Sequence, residues 1–303
     1  MPIIRSCPNC HSVDSKLEVC SRPAAEEADW SALQQSWAGF FKKKIFFSFM
    51  RCKGCGMLYC RHYFTDEQLV QLYAHMADNT AGLGAEQTNV TQVGYVRLIN
   101  DGSLTGDFLE LGPDIGLFSL AYARSFDKGT GRKYWLFEPN ESVHPELDRR
   151  MAGYCHEIRT EMTDFSSVPD GSIGTVAMIH VLDHLRDPLA VLRELKKKMH
   201  VGGARIHIVT HNERSALARV LKRRWPAYCL QHPQLFNPSS ITELLKTAGF
   251  GEITVQRTMN YFPLGYLAKH GLYALGLNLR FLGRVPTPQV GLHLGNMLTS
   301  ART

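Results

Sequence analysis

The chain has 303 residues, 44% of them apolar and 20% charged, and its 34 basic and 28 acidic side chains leave a net charge of +6. These totals exclude a disordered chain and allow one sizeable α/β domain plus a small module. The modest basic excess permits an anionic ligand without demanding nucleic acid.

Residues 1–75 hold six of the eight cysteines. The opening MPIIRSCPNC lacks the apolar core of a secretory signal, which predicts a reducing, cytoplasmic setting. There, paired cysteines bind metal more often than they form disulfides. Cys7-Pro-Asn-Cys10 and Cys52-Lys-Gly-Cys55 are two such pairs. Two intervening residues let both thiolates of a turn reach one ion, and two turns make a closed four-sulfur shell suited to structural zinc. Cys7, Cys10, Cys52 and Cys55 are therefore the expected ligands of a zinc-ribbon-like module, with Phe40–Phe49 as a candidate strand region between the pairs.

Residues 76–105 read as a connector ending in a helix, VTQVGYVRLIN. Residues 106–260 then alternate strand and helix patterns, the mark of a doubly wound sheet. Strands are expected at Asp107–Leu111, Tyr134–Glu138, Cys155–Arg159, Ile173–Ile179, Arg205–Thr210 and Ile253–Arg257, with Leu292–Leu298 as the seventh. Helices are expected at Phe118–Arg124, His144–Met151, Pro188–Lys198 and Ser239–Ala248, the last started by Pro238-Ser239-Ser240 with Glu243 following. Residues 261–303 form an apolar cover and the final strand. The apolar stretch Phe262–Leu282 is broken by Lys269, His270 and Arg280 and by three glycines, so it does not read as a membrane span.

The segment FLELGPDIGLFSL (Phe108–Leu120) is the most informative in the chain. An apolar run reaches Glu110, a turn with Gly112 and Gly116 follows, and a helical pattern begins. Such a turn lets a ligand lie against backbone N–H groups at a helix start. A second strand ends in Glu138, an acid placed to accept hydrogen bonds from both hydroxyls of a ribose. Together these features predict a nucleoside-containing cofactor on a Rossmann-like sheet.

With these motifs in place, nearly the whole chain resembles a class I S-adenosylmethionine-dependent methyltransferase with an N-terminal zinc-binding module. Glu110-Leu-Gly-Pro-Asp-Ile-Gly116 resembles that family's first motif, with Pro113 and Asp114 where the usual acid-G-x-G-x-G pattern differs. Leu136-Phe-Glu-Pro-Asn140 resembles the second. IHVLDHLRDPLAVLRELKKKMHVGGARIHI (Ile179–Ile208) is similar to the family's strand, HVLEHL, DP helix start and PGG turn, with Asp183 replacing Glu and Val201 replacing proline. Gln231-His-Pro-Gln-Leu-Phe-Asn-Pro-Ser-Ser240 resembles its later H-x-x-x-F-x-P motif.

The resemblance implies a cofactor site of Glu110, Gly112, Pro113, Asp114, Gly116, Glu138, Pro139, Asp164 and His180, with Asp164 toward the adenine. His180 and His184 leave the fourth strand and His211 the fifth, at the sheet edge where a base must sit, so all three are candidate catalytic residues. A looser reading places a divalent metal on His180, Asp183, His184 and His211. Trp225, Tyr228 and His232 fall where the fold builds a substrate lid, with stacking and packing as open alternatives. The cysteine pairs and RCKGCGMLYC resemble those ahead of such domains in bacterial enzymes that methylate sugars and other small metabolites, which implies a small-molecule acceptor, a sugar or sugar-linked metabolite. The alternatives are an RNA methyltransferase, motivated by Lys42–Lys44, Arg51, Lys53 and Arg61, and a homologue that has lost its cofactor.

Overall fold

The structure, a computed structural model, describes residues 2–37, 45–73, 85–102, 104–127, 129, 131–268 and 287–303. The chain opens with β1 (Ile3–Ile4), β2 (Ser15–Val19), α1 (Trp30–Trp37), β3 (Phe49–Cys52), β4 (Leu58–Cys60), β5 (His62–Tyr63) and α2 (Asp66–Tyr73). Strands β2, β3 and β4 form an antiparallel sheet, and β1 pairs separately with β5. Of the strand region expected at Phe40–Phe49, only Phe49 lies in a strand, and residues 40–44 lie outside the described residues.

The connector supplies α3 (Ala85–Val96), and the main domain follows. Its elements are β6 (Asp107–Leu111), α4 (Leu117–Phe126), β7 (Tyr134–Phe137), α5 (His144–Met151), β8 (His156–Arg159), β9 (Ile173–Ile179), α6 (Pro188–Lys198), β10 (Arg205–His211) and α7 (Ala216–Leu221). Beyond them come β11 (Gln234–Leu235), α8 (Pro238–Thr247), β12 (Gly251–Arg257), β13 (Asn260–Pro263), β14 (Gln289–Leu292) and β15 (Asn296–Arg302). The order β12-β15-β10-β9-β6-β7-β8 makes a seven-stranded sheet, with β6 to β10 parallel and β15 antiparallel to both its neighbours.

The period of two along each central strand sorts the apolar side chains onto two faces. Leu109, Leu111, Trp135, Phe137, Val176, Met178, Ile206 and Ile208 share one core with α6 and α8. Phe108, Tyr134, Leu136, Ala177, Ile179 and Val209 share the other with α3, α4 and α5. Both faces are covered, which is what a parallel sheet requires.

Three local expectations are corrected. The last strand starts at Asn296, four residues beyond Leu292, because Leu292 instead ends the β13–β14 hairpin. Helix α8 is capped by Asn237 rather than by the serines. The Asn237 side chain accepts from the N–H groups of Ser239 and Ser240, and Ser240 Oγ accepts from the Asn237 N–H. Pro238 then sits at the first helical position, where its missing N–H costs nothing. The third parallel strand begins at His156, one residue later than expected. No helix among the described residues is long and apolar enough to cross a membrane, and most of the 262–282 stretch lies outside them.

Candidate active site and cysteine cluster

The C-terminal ends of β6 and β7 carry the two acids of the sequence motifs. Gly112 has φ 65° and Gly116 has φ 78°. A Cβ on Gly112 would stand 2.6 Å from Val181 Cγ2, and one on Gly116 2.6 Å from Leu147 Cδ1, so both turns require glycine. Asp114 also takes a positive φ, which aspartate tolerates better than most residues. That conformation aims its N–H at Glu138 Oε2 (2.8 Å), while the Asn140 N–H donates to Oε1 (2.9 Å). Glu138, 6% exposed, thus ties the glycine turn to the loop after β7, with Pro139 in the bend between Glu138 and Asn140. Burial raises its carboxyl above the usual range against the pull of the two amide bonds.

Glu110 is 1% exposed beneath the same turn. One oxygen accepts from Ser119 Oγ on α4, and the other, Oε1, has no partner. Burial first, then the charges of Glu138 and Asp114, push its carboxyl up to about 8. Glu110 therefore feels the charge of Glu138. Asp164 is exposed and accepts from the Ser166 N–H (2.9 Å) in a local turn, beside the buried Phe165.

Four histidines and Asp183 meet where β9 and β10 end. The buried Asp183 Oδ2 lies 2.7 Å from His211 Nδ1, which donates to it. Burial raises the Asp183 carboxyl, but the His211 bond and the surrounding imidazoles outweigh that and hold it below the carboxylate range. His211 Nε2 is left as an acceptor. His180, at φ 58°, places Nε2 near Tyr95 Oη (3.4 Å) and Asn296 Nδ2 (3.3 Å), and its Nδ1 has no partner. Burial, then the charge of His211, pushes His180 down to about 3, so it stays neutral.

His184 stands 3.3 Å from Tyr73 Oη through Nδ1 and 3.1 Å from His232 Nε2 through Nε2. Both of its ring nitrogens are occupied, and burial followed by the charge of His232 pushes it down to about 3. His232 Nδ1 donates to Ala227 O (2.7 Å) and lies 3.3 Å from Cys229 Sγ. Burial opposes its charge, but Cys229 raises it to about 9, and the Cys229 thiol is lowered in turn. A protonated His232 donates from Nε2 to His184, leaving the His184 Nδ1–H facing Tyr73. Ligand atoms of His180, Asp183 and His211 lie within 4.8 Å of one another, as do those of Asp183, His184 and His232, so the four residues named for a divalent metal do not form one group and His184 groups with His232, which was not named for it.

The sequence reading selected His180, His184 and His211, and these converge. It did not select Tyr73, Cys229 or Gln234 for any role. Tyr73 ends a helix of the first 75 residues with no polar motif around it, whereas Cys229 lies three residues before His232 and Gln234 two after it, where a search for polar groups near that histidine finds them.

The sulfurs of Cys7, Cys10, Cys52 and Cys55 all lie within 4.8 Å of one another, with Cys7–Cys55 and Cys10–Cys52 both at 3.5 Å. Backbone turns close each pair: the His11 N–H donates to Cys7 O and the Gly56 N–H to Cys52 O. Cys20 and Cys60 are not part of the group. The surrounding sheet takes its fourth strand from β11, which pairs with β4. Trp225 (2% exposed) and Tyr228 pack into the same aromatic core as Phe46, Phe47 and Phe49, so the lid aromatics act in packing. Of the basic cluster, Arg51 is bound to Glu18 and Glu213 and Lys53 pairs with Asp14, while Lys42–Lys44 lie outside the described residues.

A sequence profile of the family described as methyltransferase domain matches residues 71–255, and the chain belongs to that family. The family profile marks the chain as a methyltransferase. Comparison with curated proteins finds no match. Among solved structures, the chain is similar to an S-adenosylmethionine-dependent methyltransferase of Thermotoga maritima described as a possible histamine N-methyltransferase. The identity is 15% and the TM-score 0.47, covering 72% of this chain and 89% of the other. Mitomycin 7-O-methyltransferase is 18% identical with a TM-score of 0.45, covering 71% of this chain and 54% of the other. Phosphoethanolamine N-methyltransferase 2 of Haemonchus contortus is 14% identical with a TM-score of 0.44, covering 79% and 57%.

Proposed function

We propose that this enzyme methylates a hydroxyl of a small, sugar-linked acceptor, with His211 as general base and a structural zinc ion on Cys7, Cys10, Cys52 and Cys55. The observation that carries the reading is the 2.7 Å bond from His211 Nδ1 to the buried Asp183, at the edge of the sheet that also bears the glycine turn.

The residues fit the cofactor. S-adenosylmethionine supplies an electrophilic methyl group on a sulfonium. Its positive charges suit Glu110, whose buried Oε1 lacks a partner and whose raised carboxyl ionises beside a cation. Glu138 keeps lone pairs for ribose hydroxyls while its two amide bonds fix it in place. Gly112 and Gly116 keep the turn free of side chains, and the loop with Pro113, Asp114 and Pro139 borders the same cleft. Asp164 and Phe165 follow the third parallel strand, where an adenine would lie.

On the acceptor side, Asp183 fixes His211 in the tautomer with Nδ1–H inward and Nε2 free. A bound methyl sulfonium would supply the methyl group, and His211 Nε2 would accept the proton that the acceptor hydroxyl gives up. Asp183 stabilises the imidazolium that forms, as the carboxylate of a catalytic triad does. His180, neutral and held by Tyr95 and Asn296, borders the cofactor side rather than taking the proton. Because both nitrogens of His184 have partners, it supports the cluster instead of acting as base.

Zinc suits the cysteines because sulfurs bound at about 2.3 Å to a tetrahedral ion stand roughly 3.8 Å apart. The sugar-linked acceptor is supported by the resemblance of the cysteine phrases to those of sugar-methylating enzymes. The paired Arg51 and Lys53 do not favour the RNA alternative.

The test is a turnover screen of the full chain against nucleotide sugars, phenols and ribosomal RNA, with metal analysis and calorimetry of S-adenosylmethionine binding. One zinc per chain, cofactor binding and methylation of a sugar are expected. Binding without turnover on any class would overturn the acceptor assignment, and absence of binding the enzymatic one.

A further inference from the structure

The turn that carries Asp183 and His184 is held from outside its own domain. Gln234, 0% exposed on β11, lies at its centre. Gln234 Nε2 donates to Leu182 O (3.1 Å) and Leu185 O (2.6 Å), the two carbonyls on either side of the Asp183–His184 pair. Its Oε1 accepts from Arg5 Nη2 (3.0 Å), so both amide hydrogens and the carbonyl are in use. Arg5 Nη2 also donates to Arg186 O (2.6 Å), and Nη1 to Pro233 O (3.2 Å) and Cys60 O (3.4 Å).

Arg5 stands two residues before Cys7, and its own N–H donates to Arg61 O (2.7 Å). Cys60 ends β4, the strand leaving the Cys52–Cys55 turn, and β4 pairs with β11. A second link runs from Arg186 to Asp66 on α2 (2.6 Å). A planar guanidinium and a buried amide thus join the cysteine module to the turn that orients the base.

We propose that Arg5 and Gln234 are positioning residues that keep Asp183 aimed at His211, so that the cysteine module is a working part of the active site. The inference rests on the reading of His211 as base. Neither side chain hydrogen-bonds to the glycine turn or to Glu138, so the variants are expected to act on turnover rather than on cofactor binding. A group held rigidly by three carbonyls and an amide leaves little slack, and a displacement of about 1 Å at a reacting group can cost roughly a hundredfold in rate.

The test compares the full-length wild type with Gln234→Glu and Arg5→Lys. Glutamate keeps the size and the acceptor for Arg5 but loses both donors and sets a carboxylate against two carbonyls. Lysine keeps the charge but cannot span the separated acceptors in one plane. S-adenosylmethionine affinity by calorimetry should stay within about twofold, as expected where no hydrogen-bond partner is shared. The kcat should fall roughly ten- to a hundredfold in Gln234→Glu and less in Arg5→Lys. The 15N shifts of the His184 and His211 ring nitrogens, which report their tautomers, should move in both.

Wild-type kcat with unchanged ring shifts in a Gln234→Glu protein that binds cofactor normally overturns the proposal. If that variant does not fold, Arg5→Lys decides on the same readouts. A wild type that methylates no acceptor, while the ring shifts still move, upholds the clamp and removes the base assignment instead.

Discussion

The glycine turn and the histidine cluster occupy the same edge of one sheet and are built in opposite ways. The turn is local. Glu110, Gly112, Asp114 and Gly116 lie within seven residues, and its main external anchor is Glu138, just past the end of the adjacent strand. The cluster is assembled from distant segments: Tyr73 from the first 75 residues, His180 to His184 after β9, His211 at the end of β10, and Cys229 to Gln234 ahead of α8. A site read mainly through backbone N–H groups tolerates little change in sequence but needs few partners. A site built from side chains gains adjustable chemistry at the cost of dependence on every segment that holds it.

The largest expected effect tests that dependence. Asp183→Asn removes the carboxylate that fixes the His211 tautomer while keeping its shape. Turnover should fall roughly 10²- to 10⁴-fold, as general-base catalysis is lost. Cofactor affinity measured by calorimetry should not change. If both fall together, the turn and the cluster are one unit and the contrast between them is wrong.

The second effect belongs to the turn. Glu138→Ala leaves the Asp114 and Asn140 N–H groups without their acceptor and removes the ribose partner. Charged hydrogen bonds contribute about 1.5–3 kcal/mol each, so the Kd for S-adenosylmethionine should rise roughly ten- to a hundredfold. The ring-nitrogen shifts of His211 should stay at their wild-type positions, since Asp183 is untouched.

The same contrast explains what was legible in the sequence. The alternation of Leu109 and Leu111 with Phe108 and Glu110 declares a strand, and the glycines that follow declare the turn, because period and steric demand act over a few residues. The four cysteines were legible for the same reason, since a C-x-x-C turn carries its geometry in its spacing. Tyr73 was not. Its role comes from where α2 ends in space, and nothing within its own turn of helix differs from an ordinary packing residue. The polar Thr299 and Ser300 hid the end of β15, yet both lie inside the sheet and Ser300 Oγ bonds His207 Nδ1 (2.8 Å). Trp225 and Tyr228 left stacking and packing equally open, and only the proximity of Phe46 and Phe49 decides for packing.

The smallest effect separates the turn's two acids. Glu110 is raised to about 8 in the folded chain by burial and then by its acidic neighbours, against an ordinary value of about 4.3 when unfolded. The folded state therefore holds a proton that the unfolded state has released. The stability this contributes is complete below the unfolded value and is lost as pH rises through about 8. Glu110→Gln cannot titrate there, so its melting temperature relative to wild type should climb between about pH 5 and pH 8. A bound sulfonium favours the carboxylate and draws the proton off. The wild type should accordingly bind S-adenosylmethionine more tightly at about pH 8 than at about pH 7, by less than about tenfold, with proton release visible in buffers of different ionisation enthalpy. Glu110→Gln should show neither effect. A wild type whose affinity is flat over that interval would mean that Glu110 never meets the cation, and Glu138 would then be the only acid of the pair in contact with the cofactor.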